Sequence, residues 1–241
     1  MSSDRAKTAA VLTGAGISAE SGLGTFRGAG GLWENEPVQE VATPWGFAKD
    51  PMKVWRFYEM RRQAAAKAAP NAGHLALARM EEALGDRFAL ATQNVDGLHH
   101  AAGSRRVLEL HGSLWRFRCT RCPHRQQNRI VPLPELPPRC PACGEMLRPD
   151  IVWFGEVLPS DVFGAAVEAA ERCALFLVVG TSAVVQPAAS LARLAAENGA
   201  LVWEVNPDPT PLTGLCDRSW QAPAGAVMDE VVEEALKAVG R

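Results

Sequence analysis

Leu12-Thr13-Gly14-Ala15-Gly16-Ile17-Ser18-Ala19-Glu20-Ser21-Gly22, running on to Thr25-Phe26-Arg27, is the stretch that decides how this chain is read. The apolar run Thr8 to Leu12 leads into it and reads as a buried first strand. A glycine-rich turn after such a strand can bring backbone N–H groups close to a pyrophosphate. Gly14 permits the tight turn, Gly16 removes a side chain that would block the phosphates, and Ala19 takes the third small position, giving G-x-G-x-x-A. Taken alone, the pattern fits an ordinary strand-to-helix turn equally well.

An ordinary dehydrogenase would end a second strand about 20 positions further on with an acidic residue that holds the ribose. Here that region is Leu32-Trp33-Glu34-Asn35-Glu36-Pro37, which is not strand-like. A bound dinucleotide would therefore need other ribose contacts. Thr25-Phe26-Arg27-Gly28 and Gly30-Gly31 suggest a long segment draped over the ligand, with Arg27 available for charge.

The chain has 241 residues, enough for one large domain or one domain with an inserted lobe. Its net charge of −2 offers no basic field for nucleic acid or an anionic membrane, so neither partner is expected. No apolar run approaches the ~20 residues of a membrane span, and the N-terminus lacks the apolar core of a signal peptide. Cytoplasmic residence is the default, and the six cysteines are then not expected to form disulfides.

Asp50-Pro51 opens a helix running into Ala64 to Ala69, and Pro70 stops it. Asn71 caps the next, with Leu77, Met80 and Leu84 on its apolar face. Strand-like runs follow at Phe88 to Thr92, Val107 to Leu110, Ala174 to Val179 and Leu201 to Val205. Pro187 is read as opening a helix through Leu194, and Val227 to Val239 as a terminal helix. Alternating strands and helices imply a mostly parallel sheet. Polar residues cluster just past the strand ends, at Gly14, Gln93 to Asp96, His111, Gly180 to Ser182 and Asn206, and ligands of open α/β sheets bind at that edge.

From Trp115 to about Ile151, prolines and cysteines replace the apolar periodicity. Cys119-x-x-Cys122 and, 17 residues on, Cys140-x-x-Cys143 form a four-cysteine zinc pattern. Four protein ligands close a tetrahedral shell, so this zinc would be structural. Cys173 and Cys216 stand apart as packing residues.

Gly14-Ala15-Gly16-Ile17-Ser18, Gln93-Asn94-Val95-Asp96, His111-Gly112, the two cysteine pairs and Gly180-Thr181-Ser182 occur together and in this order. The chain thereby resembles the sirtuins, NAD-dependent protein lysine deacylases, from about Ala10 to Val239. The resemblance implies an α/β fold: a Rossmann-like large domain (1–34, 70–115 and 152–241) and a small lobe (35–69 and 116–151) combining a helical insertion with the zinc module. NAD would bind between them. Gly14 to Trp33, including Ile17, Ser18, Thr25, Phe26 and Arg27, would wrap it. Gln93, Asn94, Val95 and Asp96 would line the nicotinamide pocket. Gly180, Thr181, Ser182, Asn206, Pro207 and Asp208 would hold the adenosine end, with Ala224 near the adenine.

The implied reaction removes an acyl group from lysine at the expense of NAD. The weakly nucleophilic amide oxygen attacks the ribose carbon as nicotinamide leaves. His111 is then the general base on a ribose hydroxyl, a role suited to a near-neutral pKa. Free lysine, nicotinamide and O-acyl-ADP-ribose result. The peptide would add as a strand between Phe154-Gly155-Glu156 and Ser182-Ala183-Val184-Val185.

Tyr58 and Arg61 lie three apart on a predicted helix, and Tyr58 is the only tyrosine. A phenol beside a guanidinium suits a carboxylate. The pair matches the Tyr-x-x-Arg motif of the sirtuin branch that removes malonyl, succinyl and glutaryl groups, and Ala42 falls where that branch widens the acyl pocket. Spacing alone favours a buried tyrosine and a solvated arginine, since Arg56 and Arg62 share the helix and helical arginines are mostly surface residues; the resemblance is what favours the carboxylate reading. The alternatives are a deacetylase of the same family, an NAD-dependent dehydrogenase, and a non-enzymatic zinc-ribbon module.

Overall fold

The structure is a computed structural model that describes residues 7–25, 32–33 and 36–240. The strand β1 (Ala9–Thr13) is buried at every position and runs into a 3-10 helix at Ala15–Ser21. A short hairpin, β2 (Leu32–Trp33) with β3 (Glu36–Pro37), leads to helices α1 (Val38–Val41), α2 (Pro44–Lys49) and α3 (Pro51–Lys67). Asp50 caps α3 by accepting the Lys53 N–H, and Pro51 takes the first helical position. Asn71 caps α4 (Ala72–Leu84), and His74 answers by accepting the Asn71 N–H.

After α4 come β4 (Phe88–Thr92), the short α5 (Leu98–Ala101) and β5 (Val107–Glu109). The chain then leaves the main sheet for β6 (Gly112–Cys119), β7 (Arg125–Gln127) and β8 (Leu147–Ile151), a three-stranded antiparallel sheet ordered β7-β6-β8. It returns through α6 (Ser160–Arg172), β9 (Leu175–Val179), α7 (Ser190–Glu197), β10 (Leu201–Val205), β11 (Arg218–Trp220) and α8 (Ala224–Ala238).

The main sheet is parallel throughout, in the order β11-β10-β9-β1-β4-β5. The chain builds outward from β1 through β4 to β5, then restarts on the other side of β1 with β9. The strand order therefore reverses between β1 and β9, and a crevice opens at their C-terminal ends, where α/β sheets bind ligands. Helices α4 and α8 pack on one face around Leu77, Met80, Met228 and Val231, and α6 and α7 cover the other.

A third core joins α1–α3 to the antiparallel sheet, with Trp55, Tyr58, Phe117 and Trp153 at its centre. The Trp55 indole donates to the Leu147 carbonyl of β8. This core also takes in Leu114, Trp115 and Ile151, and β6 starts at Gly112, ahead of the change in sequence texture at Trp115.

The longer helices depart from the sequence expectation in three places. The helix expected from Pro187 begins at Ser190, and Pro187 lines the crevice instead. The terminal helix begins at Ala224. Helix α6 is absent from the sequence expectation, although Val162, Phe163, Ala166, Val167 and Ala170 recur at helical spacing and pack on one core.

Candidate active site

The crevice is a cavity of about 510 Å³ between the parallel sheet and the small lobe. Its floor is two abutting turns, Gly14–Gly16 after β1 and Gly180–Ser182 after β9. The Gly14 N–H donates to Val179 O, and the Gly16 N–H to Gly180 O. A Cβ on Gly14 would meet Thr181 Cβ at 2.6 Å, and one on Gly16 would meet Gly180 O at 2.7 Å. The neighbouring turn by itself demands glycine at both positions. The Gly16 amide is committed to that turn and the Gly14 amide to the end of β9.

Ala15, Ser18, Thr25, Gln93, Asn94, Val95, Asp96, His111, Asn206, Pro207 and Asp208 line the same cavity. Ile17 and Ala224 do not: both are buried in the core, and Ala224 packs against Gly73 at the start of α8. Phe26, Arg27 and the Trp33 side chain lie outside the described residues.

His111 follows β5, and its Nδ1 lies 3.0 Å from the Gln93 carbonyl oxygen. A carbonyl only accepts, so Nδ1 carries the proton and Nε2 keeps its lone pair. Burial lowers the His111 pKa, outweighing the Gln93 hydrogen bond, and favours the neutral imidazole a base requires.

Under the 3-10 turn, Ser18 donates to Asp96 Oδ2 at 2.8 Å, while Asn94 Nδ2 donates to Gly14 O and to Ser18 Oγ. Asp96 Oδ1 accepts the Leu98 N–H. His74 accepts the Asn71 N–H at Nδ1, so its protonated Nε2 faces Ser18 Oγ at 3.4 Å. His99 Nε2 lies 2.9 Å from Thr13 Oγ1, which donates to Thr92 Oγ1, and that oxygen also accepts the Asn94 N–H. The two imidazoles stand 5.0 Å apart. Sequence reasoning misses His74 and His99. Their only local signals are positions three residues after the cap Asn71 and three after Asp96.

Ala42, Tyr58 and Arg61 also line the cavity. Tyr58 is fully buried, and its phenol accepts the Trp153 indole N–H at 2.9 Å. Burial pushes its pKa up to about 12, against the opposing charge of Arg61. The Arg61 guanidinium lies 5.9 Å from the Phe57 ring centroid. Phe154, Gly155, Glu156, Ser182 and Val185 also line the cavity, whereas Val184 is half exposed outside it. Burial raises the pKa of Glu156, but hydrogen bonds from Arg148 and the Trp153 N–H bring it below the ordinary carboxylate value.

The sulfurs of Cys119, Cys122, Cys140 and Cys143 lie within 4.8 Å of one another. The Cys119–Cys143 and Cys122–Cys140 separations of 3.5 and 3.7 Å match the edge of about 3.8 Å expected for a tetrahedron with Zn–S bonds of about 2.3 Å. The Arg121 and Cys122 N–H groups point at Cys119 Sγ, as knuckle amides do toward a thiolate. The set fits a structural zinc with no open position.

The Sir2 family pattern matches residues 14–187. The chain belongs to the Sir2 family. A Sir2 relative named NAD-dependent protein deacylase 1, from Caldanaerobacter subterraneus subsp. tengcongensis, is 55% identical over 203 residues, covering 84% of each chain. A solved Sir2 homolog–NAD complex is 49% identical with a TM-score of 0.89, covering 97% of this chain and 91% of that one. A Sir2 complex with EX-527, 2'-O-acetyl-ADP-ribose and a deacetylated p53 peptide is 34% identical with a TM-score of 0.83, covering 94% and 93%. The Sir2 assignment removes the ground for the dehydrogenase and zinc-module alternatives.

Proposed function

We propose that this chain is an NAD-dependent protein lysine deacylase whose acyl pocket takes carboxylate-tipped groups, succinyl and malonyl, as well as acetyl. One observation carries the reading: His111, Asn94 and Asp96 line the same single cavity as Tyr58 and Arg61. An acyl-lysine side chain entering that cavity brings its amide to the histidine and its tip to the guanidinium.

NAD, as co-substrate, supplies the ribose that accepts the acyl group and the nicotinamide that departs. Gly14 to Thr25 and Gly180 to Ser182 bind it, together with Asn206 to Asp208. Asn94 and Asp96, fixed through Ser18, shape the nicotinamide pocket. His111 Nε2 takes a proton from a ribose hydroxyl. The cavity holds the two reactants together, which is the main requirement for so weak a nucleophile as an amide oxygen. Tyr58 and Arg61 supply charge-assisted hydrogen bonds to the acyl carboxylate. The peptide backbone lies along Phe154-Gly155-Glu156 and Ser182 to Val185. Cysteines given to zinc and packing rather than to disulfides suit a reducing compartment, the cytoplasm. The relatives' NAD and peptide complexes support both co-substrate and peptide, and the 2'-O-acetyl-ADP-ribose complex favours acetyl transfer as a retained activity.

The test is Arg61→Met assayed on acetyl and succinyl versions of one peptide, by mass spectrometry with and without NAD. Desuccinylation should fall about 10- to 100-fold more than deacetylation, the worth of one hydrogen bond to a charged group. Equal losses on the two substrates would sink the carboxylate reading. Turnover without NAD would sink the deacylase reading.

A further inference from the structure

Trp153 is held more tightly than an apolar wall residue needs to be. It is 2% exposed. The Phe47 ring lies 5.2 Å from its ring by centroid, and the Arg148 guanidinium carbon stands 3.4 Å from its centroid. Arg148 is itself fixed to Glu156 through both terminal nitrogens, and Glu156 accepts the Trp153 backbone N–H at 2.9 Å. The next residue is pinned as well, since the Phe154 N–H donates to the Ala42 carbonyl at 2.9 Å. All of this aims one polar atom: the indole N–H donates to the Tyr58 hydroxyl oxygen at 2.9 Å.

An indole N–H can only donate, so Tyr58 Oη must accept there. The phenol hydrogen prefers the plane of its ring, with two settings. The tryptophan occupies one side of the oxygen and excludes the setting that would point the hydrogen at it. Tyr58 is thereby turned into a donor toward its other side, and it lines the cavity beside Arg61. Its raised pKa, about 12 through burial, keeps that hydrogen in place at neutral pH.

We propose that Trp153 is a positioning residue for acyl selection: its indole N–H sets the Tyr58 hydroxyl in the orientation that donates to an acyl carboxylate gripped by Arg61. The inference rests on the reading of Tyr58 and Arg61 as the carboxylate receptor. A carboxylate, which only accepts, matches a phenol fixed as donor. A methyl tip, as in acetyl, gains nothing from it. Selectivity is then set partly by a residue on the segment after β8, outside the helix that carries the receptor pair.

The test is a double-mutant cycle. Wild type, Trp153→Phe, Tyr58→Phe and the double variant are assayed with saturating NAD on acetyl and succinyl versions of one peptide. Phenylalanine keeps an aromatic ring between Phe47 and Arg148 while removing the donor and some ring volume, and the Tyr58→Phe background separates the two losses. Both substrates are read on each preparation, so partial loss of folded protein cancels in the succinyl-to-acetyl ratio of kcat/KM. Trp153→Phe should lower that ratio about fivefold, the worth of one neutral hydrogen bond. The loss should appear in KM for the succinyl peptide. In the Tyr58→Phe background the same change should lower the ratio no further.

An unchanged ratio in Trp153→Phe overturns the proposal, and so does a fivefold drop that persists without the tyrosine hydroxyl. Arg61→Met in the same series separates the two claims. A ratio lost with Arg61→Met but kept with Trp153→Phe removes the role of Trp153 alone. A ratio indifferent to Arg61→Met removes the carboxylate receptor and this inference with it.

Discussion

The Nδ1 atom of His111 sits 3.0 Å from the carbonyl oxygen of Gln93, the first residue of the Gln-Asn-Val-Asp segment. The proposed base and the proposed nicotinamide-pocket residues are thus fixed to one another through a single backbone group. Burial holds the imidazole pKa below its ordinary value, and the neutral form is the active one. Activity should therefore persist below pH 6.5 and fail only on further acidification, as read from kcat/KM against pH. His111→Ala should cost about 10²- to 10⁴-fold in kcat, the usual worth of a positioned general base.

Acid should also weaken the fold through His99. Burial first, then the charges of His74 and His100, push its pKa down to about 3, and burial lowers that of His74. Both stay neutral in the folded chain and take up protons on unfolding below about pH 6.5. The unfolded state then binds more protons, so stability falls with falling pH, by up to about 1.4 kcal/mol per unit for each histidine. For His99 the window runs from about 6.5 to about 3. Urea melts at pH 7.5, 6.5 and 5.5 should show the slope, and His99→Gln should flatten it.

Arg62 and Arg61 are neighbours in sequence with opposite fates. Arg62 is fully buried, with Glu59 at 3.2 Å and its guanidinium donating to the carbonyls of Leu114, Asn128 and Ile130 and to Asn128 Oδ1. Arg62→Met would strand a buried carboxylate and several carbonyls, a loss of about 3–5 kcal/mol. Arg56→Met, on the exposed side of α3, should stay within about 0.5 kcal/mol. Chemical denaturation of the two variants checks the contrast.

Glycines at different places should answer alanine with opposite signs. Gly164 is exposed inside α6, where a methyl group in place of its hydrogen would find nothing within 4 Å, and Gly164→Ala should stabilise by about 0.5–1 kcal/mol. Gly16→Ala drives a methyl into the Gly180 backbone at 2.7 Å. It should lower the melting temperature and abolish NAD binding, as calorimetry would report.

Metal analysis of the purified chain should find about one zinc each, and Cys122→Ser should leave well under one and lower the melting temperature. The cysteine sulfurs close off the outer end of the antiparallel sheet, so the loss should loosen β6–β8 before the parallel sheet, as hydrogen exchange would show.

Much of the fold is legible because its signals are local. The apolar runs at β1, β4, β9 and β10 announce buried parallel strands, and Asp50 and Asn71 announce the starts of α3 and α4. The cysteine pairs likewise mark the zinc knuckles. What escapes depends on contacts across the chain. Helical spacing cannot tell Arg61 from Arg62, because only β6 and the 128–130 segment decide which one is enclosed. His74 and His99 acquire meaning only when the turn after β1 brings Ser18 and Thr13 against them. Trp153 reads as one more apolar residue until Tyr58 is placed beside it. The strands β7 and β8 carry arginine and proline in place of an apolar period.

The Arg62 guanidinium is a rivet. It fastens the middle of α3 to the first half of β6 and to the stretch ahead of the second cysteine pair. The helical insertion and the antiparallel sheet that carries the cysteines are thereby clamped into one body. The proposed carboxylate receptor, Tyr58 and Arg61, belongs to that body, whereas the proposed base His111 follows β5 of the parallel sheet.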